Sequence, residues 1–223
     1  MLIELVLLAA IVILPLVAQG SVTSAYNKYS KVANSRGLTG KDVARKILDR
    51  NGLEKITIGE ISGNLTDHYD PSKKHINLSE GIYNEKSIAA VSVAAHECGH
   101  AIQDKEKYAF LKFRTALVPV VNFTSRIATI FIAIGFASEL LNIAKIGIAL
   151  LLVGLLFQLV TLPVEFDASA RGKKQLQELG LIEKSDVQGS NKVLKAAAFT
   201  YVAGFLSTAL QILRLFLINR NRN

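Results

Sequence analysis

One long stretch of this chain is almost free of charge. Between Thr115 and Val164 only Arg126, Glu139 and Lys145 are charged, whereas Tyr26 to Arg114 holds 26 of the 44 charged residues in the 223. A chain folding around one water-soluble core does not sort its charge this sharply. One with part of its surface in hydrocarbon does. A helix needs about 20 apolar residues to cross a bilayer core. Four runs approach or exceed that length: 2–18, 116–141, 143–163 and 193–218. The first is broken only by Glu4 and Pro15. It lacks a basic leader, and Ala18-Gln19-Gly20 makes a poor cleavage site, so it reads as a retained anchor. The second and third are separated only by 139–145 and read as a hairpin.

Composition then closes off other classes. A single cysteine, Cys98, excludes an internal disulfide framework and any multi-thiolate zinc finger. The net charge is +8, yet there is no Trp and no basic run interleaved with aromatics. Nucleic acid is therefore not an expected partner. In a membrane protein such an excess belongs to the cytoplasmic loops.

The charged part reads as a small α+β domain. Thr39 and Asp42 resemble a capping box, and Val43, Ile47 and Leu48 form an apolar stripe that Asn51-Gly52 ends. Residues 55–61 and 75–78 read as two short strands, with Asp70-Pro71-Ser72-Lys73 as a turn between them. Residues 85–104 form the next helix. Its apolar run is short and ends in charge, so it is a buried helix and not a span.

That helix carries His96-Glu97-Cys98-Gly99-His100, an H-E-x-x-H pattern. Residues four apart share one helix face, so both imidazoles can meet one metal ion. Glu97, on the adjacent face, is placed to take a proton from a water that the metal acidifies, and to pass it to a leaving amine. Cys98 points away from the histidine face and reads as a buried free thiol.

A catalytic zinc site needs a third protein ligand. The metzincin pattern is absent, since Gln103 and Glu106 stand where Gly and His would be. Asp104 lies another turn, about 6 Å, farther along the helix by rise, which is awkward for the same metal. His68 and His75 belong to the strand region. The segment 164–169 remains, with Glu165 and Asp167. A hairpin of two spans separates it from the histidines and returns the chain to the same side. Glu165 is the first choice for the ligand. The other carboxylate would then orient a ligand histidine.

With these residues in view, the chain resembles the YugP-like bacterial membrane zinc metallopeptidases, distant relatives of the M48-type gluzincins. The resemblance rests on the H-E-C-G-H motif at 96–100 and on Glu165-Phe166-Asp167-Ala168-Ser169 after a transmembrane hairpin. Asp67–Pro71, Leu78-Ser79 and Thr200–Ala203 add to it less specifically. It implies one zinc ion, held by His96, His100 and Glu165, and a peptide or protein substrate. Ser169 stands where this family usually has an acid, so Asp167 becomes a candidate for supporting a ligand histidine. The resemblance also implies that the strands border the cleft. Residues 75–78 or 65–69 would then pair with an extended peptide. Candidates for stabilising an oxyanion are Arg171, Tyr201 and His68.

The expected fold is a mainly α membrane protein: about four transmembrane helices and a small α+β zincin-like domain, with a short strand pair before the motif helix. The divisions are an anchor at 1–20, a catalytic domain at 21–114 and a transmembrane hairpin at 115–163. A third-ligand helix and loop follow at 164–192, then a transmembrane helix at 193–218 and a tail at 219–223. The side bearing the motif carries Lys28, Lys31, Lys112, Arg114, Arg171, Lys173, Lys174, Lys192 and Lys195 near the span ends. The other side carries Lys145, Arg220 and Arg222. The site is therefore expected at the cytoplasmic face of the bacterial cell membrane, in a multi-pass protein that contacts the lipid bilayer. The reading is a membrane-anchored zinc metalloendopeptidase. Its rivals are a site-2-type intramembrane protease and a non-proteolytic zinc-binding scaffold. The polar end of the motif helix, residues 103–107, weighs against the first rival. The lack of a His, Cys or acidic cluster within the spans weighs against a metal carrier. Nothing in the sequence fixes an oligomeric state.

Overall fold

The computed structural model describes Leu2 to Arg222. Met1 and Asn223, the first residue of the anchor and the last of the tail, lie outside the described residues, as do the side chains of Asn221 and Arg222. Seven helices and three strands follow in the order α1 (Leu2–Tyr29), α2 (Gly40–Arg50), β1 (Thr57–Ile61), β2 (His68–Asp70), β3 (His75–Ser79), α3 (Glu80–Tyr83), α4 (Ile88–Lys105), α5 (Ala109–Ala137), α6 (Leu141–Glu178) and α7 (Lys184–Arg222). The chain divides into two compact units. One comprises residues 1–19, 112–163 and 200–223, and the other 20–111 and 164–199.

The first unit holds the apolar parts of α1, α5, α6 and α7. These four helices are long and apolar enough to cross a membrane, and most of each apolar window is exposed. Leu5, Phe123, Ile146 and Phe216 are among the large side chains facing outwards. Such a surface suits lipid and not water. Within the unit, Gln158 donates to Thr208 Oγ1 at 2.9 Å and Ser207 to the Ile11 carbonyl at 2.8 Å. These are polar bonds between helices of the kind that membrane bundles use.

The second unit is the small α+β part. Its α2 begins with the capping box read from the sequence. Thr39 Oγ1 accepts from the Asp42 amide at 3.1 Å, and Asp42 accepts from the Thr39 amide at 3.0 Å. The stripe of Val43, Ala44, Ile47 and Leu48 is buried with Val91, Ala94, Ala95, Cys98 and Ile102 of α4. Ile76 and Leu78 of β3 close the same core. The sheet has three strands and not the expected pair. β1 lies parallel to β3, and β2 pairs antiparallel on the other side of β3. Parallel neighbours need a crossover, and here the crossover itself contains β2. The 75–78 candidate for peptide pairing is therefore the central strand, hydrogen-bonded on both sides. It has no edge left to offer; β2 does.

Residues 164–178 of α6 bring the last carboxylates to α4. The helix runs on through Pro163, where the apolar span was expected to stop. Two glycines let the backbones meet. A Cβ on Gly99 would run into the backbone of Ala168, and one on Gly172 into that of Ala95. Leu176, fully buried, joins the core one turn further on.

Candidate metal centre

His96 and His100 stand one turn apart on α4, their rings edge to face with centroids 4.7 Å apart. Glu165 of α6 faces both. Its Oε2 lies 3.3 Å from His96 Nε2 and 3.4 Å from His100 Nε2. One ligand atom from each of the three lies within 4.8 Å of the other two, the only such group of metal-binding side chains among the described residues. Glu165 is 3 % exposed.

The outer ring nitrogens fix the rings. His100 Nδ1 is 3.0 Å from Gln103 Oε1. The amide nitrogen of Gln103 donates to the Val164 carbonyl at 2.7 Å and to Asp167 Oδ2 at 2.8 Å. Those two acceptors orient the amide, so its oxygen faces His100 and Nδ1 must carry the proton. The Nε2 lone pair is then directed at Glu165. His96 Nδ1 lies 3.0 Å from Ser169 Oγ, a hydroxyl able to accept its proton in the same way. Two imidazole Nε2 atoms and a buried carboxylate oxygen thus converge. That is a donor set for a cation of the zinc type.

Electrostatics agree with the donor chemistry. Burial pulls the His100 imidazolium down, but the Glu165 and Glu97 carboxylates outweigh it and the net shift is upward. The local field favours positive charge. Glu97 is also buried, and burial raises its carboxyl above the usual range. The two histidines oppose that shift, while Asp67 and Glu165 add to it. Cys98 lies on the opposite face, where its thiol is 3.6 Å from the Ala44 carbonyl and burial pushes it up. It is a free, inert thiol.

The remaining candidates from the sequence are distributed as follows. Asp167 sits beside the centre through Gln103 and also accepts from Arg171 Nε. Arg171 makes a second ion pair with Glu106 at 2.6 Å, so its guanidinium is held between two carboxylates. His68 is exposed, with Nδ1 on the Thr66 carbonyl at 2.8 Å and Nε2 near the Asn77 amide at 3.1 Å. Tyr201 belongs to the other unit. Asp104 bonds Tyr69 at 2.7 Å and pairs with Lys74.

A family model described as "Putative neutral zinc metallopeptidase" matches residues 4–220. The chain belongs to this family. It is similar to the "Putative membrane protease YugP" of Bacillus subtilis (strain 168), with 46% identity over 209 residues, 92% of this chain and 93% of that protein. No solved structure matches.

In this member of the family, sequence reasoning missed two residues. Gln103 reads as part of a solvated helix end, yet it is fully buried on the histidine face. Its signal was the i+3 spacing from His100, which puts both on one face. Asp67 accepts from the amide and hydroxyl of Ser79 at 2.7 and 3.1 Å, and its charge reaches Glu97. Burial raises its own carboxyl. It lies in the 67–71 segment that adds to the resemblance, but its place beside Ser79 comes from the strand geometry.

Proposed function

We propose that this chain is a membrane-anchored, zinc-dependent metalloendopeptidase. His96, His100 and Glu165 would hold one zinc ion, and Glu97 would act as general base. The observation that carries the reading is the convergence of two Nε2 atoms and one buried carboxylate oxygen. Zinc bound there would supply Lewis acidity, polarising a peptide carbonyl and lowering the pKa of a water towards about 7.

The chain's own residues do the rest. Glu97 takes the proton from the attacking water and delivers it to the departing amine. A base whose pKa is raised by burial suits that double duty better than an ordinary surface carboxylate. Gln103 and Ser169 keep the two imidazoles in the tautomer that offers Nε2. Asp167 holds the Gln103 amide, and Arg171 with Glu106 holds Asp167. The free edge of β2 is available to align an extended substrate.

The family and the relative are named as a metallopeptidase and a membrane protease, which supports peptide-bond hydrolysis at a membrane. The three ligand carriers belong to the same unit as the sheet and α2, which favours a water-facing site over an intramembrane one. The distribution of lysine and arginine near the span ends favours the cytoplasmic face for that site.

The test is Glu97→Gln in detergent-purified protein. Cleavage of a soluble peptide is expected to be lost while zinc stays bound. Retained cleavage would overturn the mechanism. Preference for a membrane-embedded substrate, with soluble peptides left intact, would favour the intramembrane reading.

A further inference from the structure

A cavity of about 390 Å³ opens where α1 meets α7. Its lining is chemically unlike the metal centre. Lys28, Lys192 and Lys195 line it together with Ser21 and Ser24, the Lys28 amine lies 5.6 Å from the centroid of the Tyr29 ring, and Phe199 supplies an apolar wall. The volume falls in the range of sites that take small ligands. All three lysines are exposed, and none forms an ion pair with a carboxylate among the described residues. Three like charges in one cavity repel one another unless an anion joins them.

Position along the helices identifies the anion. Ser21, Ser24 and Lys28 occupy the two turns of α1 that follow its apolar run at 2–18. Lys192 immediately precedes the apolar run of α7 at 193–218, Lys195 lies in its first turn, and Phe199 follows one turn further along. The cavity is cationic and hydroxyl-lined at headgroup depth, with an apolar wall that leads towards the acyl region. Basic pockets between membrane helices on the cytoplasmic side are of the type that bind anionic lipid headgroups. The positive-inside rule accounts for lysines near span ends. It does not account for three of them sharing one cavity.

We propose that this cavity binds the headgroup of an anionic phospholipid, with the lysines and serines on its phosphate. The site touches the catalytic helix indirectly. Tyr29, which also lines the cavity, packs on Ile88 and Ala89 at the start of α4, and its ring fills the space left open by Gly189.

The test uses the full chain in detergent, titrated with phosphatidylglycerol or phosphatidylcholine, with bound lipid counted by native mass spectrometry. Preferential retention of phosphatidylglycerol is expected. The triple variant K28Q/K192Q/K195Q is expected to lose at least about tenfold in that retention, and the triple arginine variant to keep it. A charge-matched control, K46Q/K55Q/K73Q, should bind as the wild type does. Size-exclusion and circular dichroism profiles identify any variant that fails to fold, and the arginine triple then carries the comparison with wild type. Equal retention of both lipids would overturn the proposal. So would unchanged binding in the glutamine triple, equal loss in the control, or loss in the arginine triple. Full displacement of the lipid by inorganic phosphate would also overturn it, by assigning the site to a soluble anion.

Discussion

His96 leans on one hydroxyl, that of Ser169, whereas His100 leans on a buried amide that is itself bonded to the Val164 carbonyl and to Asp167. Gln103 ties His100 to Asp167, Asp167 to Arg171, and Arg171 to Glu106. The two histidines share a motif, a helix and a carboxylate, but not their support. The difference shows what a pattern of four spaced residues leaves unspecified. It presents two imidazoles to one point; how firmly each is held depends on what a distant helix brings against them. On the His100 side the support is over-determined. On the His96 side a single rotatable hydroxyl decides the matter.

Removing the shared foundation should have the largest effect. In Gly99→Ala the new methyl meets the Ala168 backbone, so α6 must shift and both sides suffer. Overpacking of this kind costs about 1–3 kcal/mol. Glu165 should move off the histidines, and loss of both zinc and several degrees of thermal stability is expected. Calorimetry together with metal analysis checks this. Wild-type zinc content would show that the close approach is unnecessary.

Next comes the firm side. Gln103→Ala leaves the buried His100 Nδ1 without its acceptor and Asp167 without its amide donor. The expected cost is about 1–3 kcal/mol in stability and about 10–100-fold in zinc affinity. Chelator competition measures the second.

The light side should respond less, and in both directions. Ser169→Ala is expected to weaken zinc by about tenfold or less. Ser169→Asp should tighten it, because a carboxylate raises the basicity of the histidine it accepts from. If Ser169→Ala proves as damaging as Gln103→Ala, the two histidines are held equally and the asymmetry is wrong. The smallest effect belongs to Arg171→Gln. Its ion pairs are partly solvated, and such pairs contribute less than about 1 kcal/mol. Zinc binding in that variant should stay within a few-fold of wild type.

Much of this arrangement is legible in the order of the residues. The motif helix and the capping box of α2 depend on residues three or four apart, and short spacings survive any tertiary arrangement. The return of Glu165 to the histidine side follows from counting two spans. Gln103 is not legible in that way. Among Asp104, Lys105, Glu106 and Lys107 it looks solvated, and only the docking of residues 164–178 buries it. The third strand is hidden because β2 has three residues and lies inside a crossover. Its pairing with β3 joins segments that no local periodicity connects. Ser169 visibly replaces the usual acid, but the hydrogen bond it shares with His96 depends on the folded geometry.

The central claim is that two histidines and one glutamate form a single zinc site. The direct measurement is zinc per polypeptide in protein purified without chelator and supplied with zinc, wild type beside Glu165→Ala. About one ion per chain in the wild type, falling sharply in the variant, is the predicted result for a three-ligand site. Equal zinc in both proteins, or none in either, would contradict it.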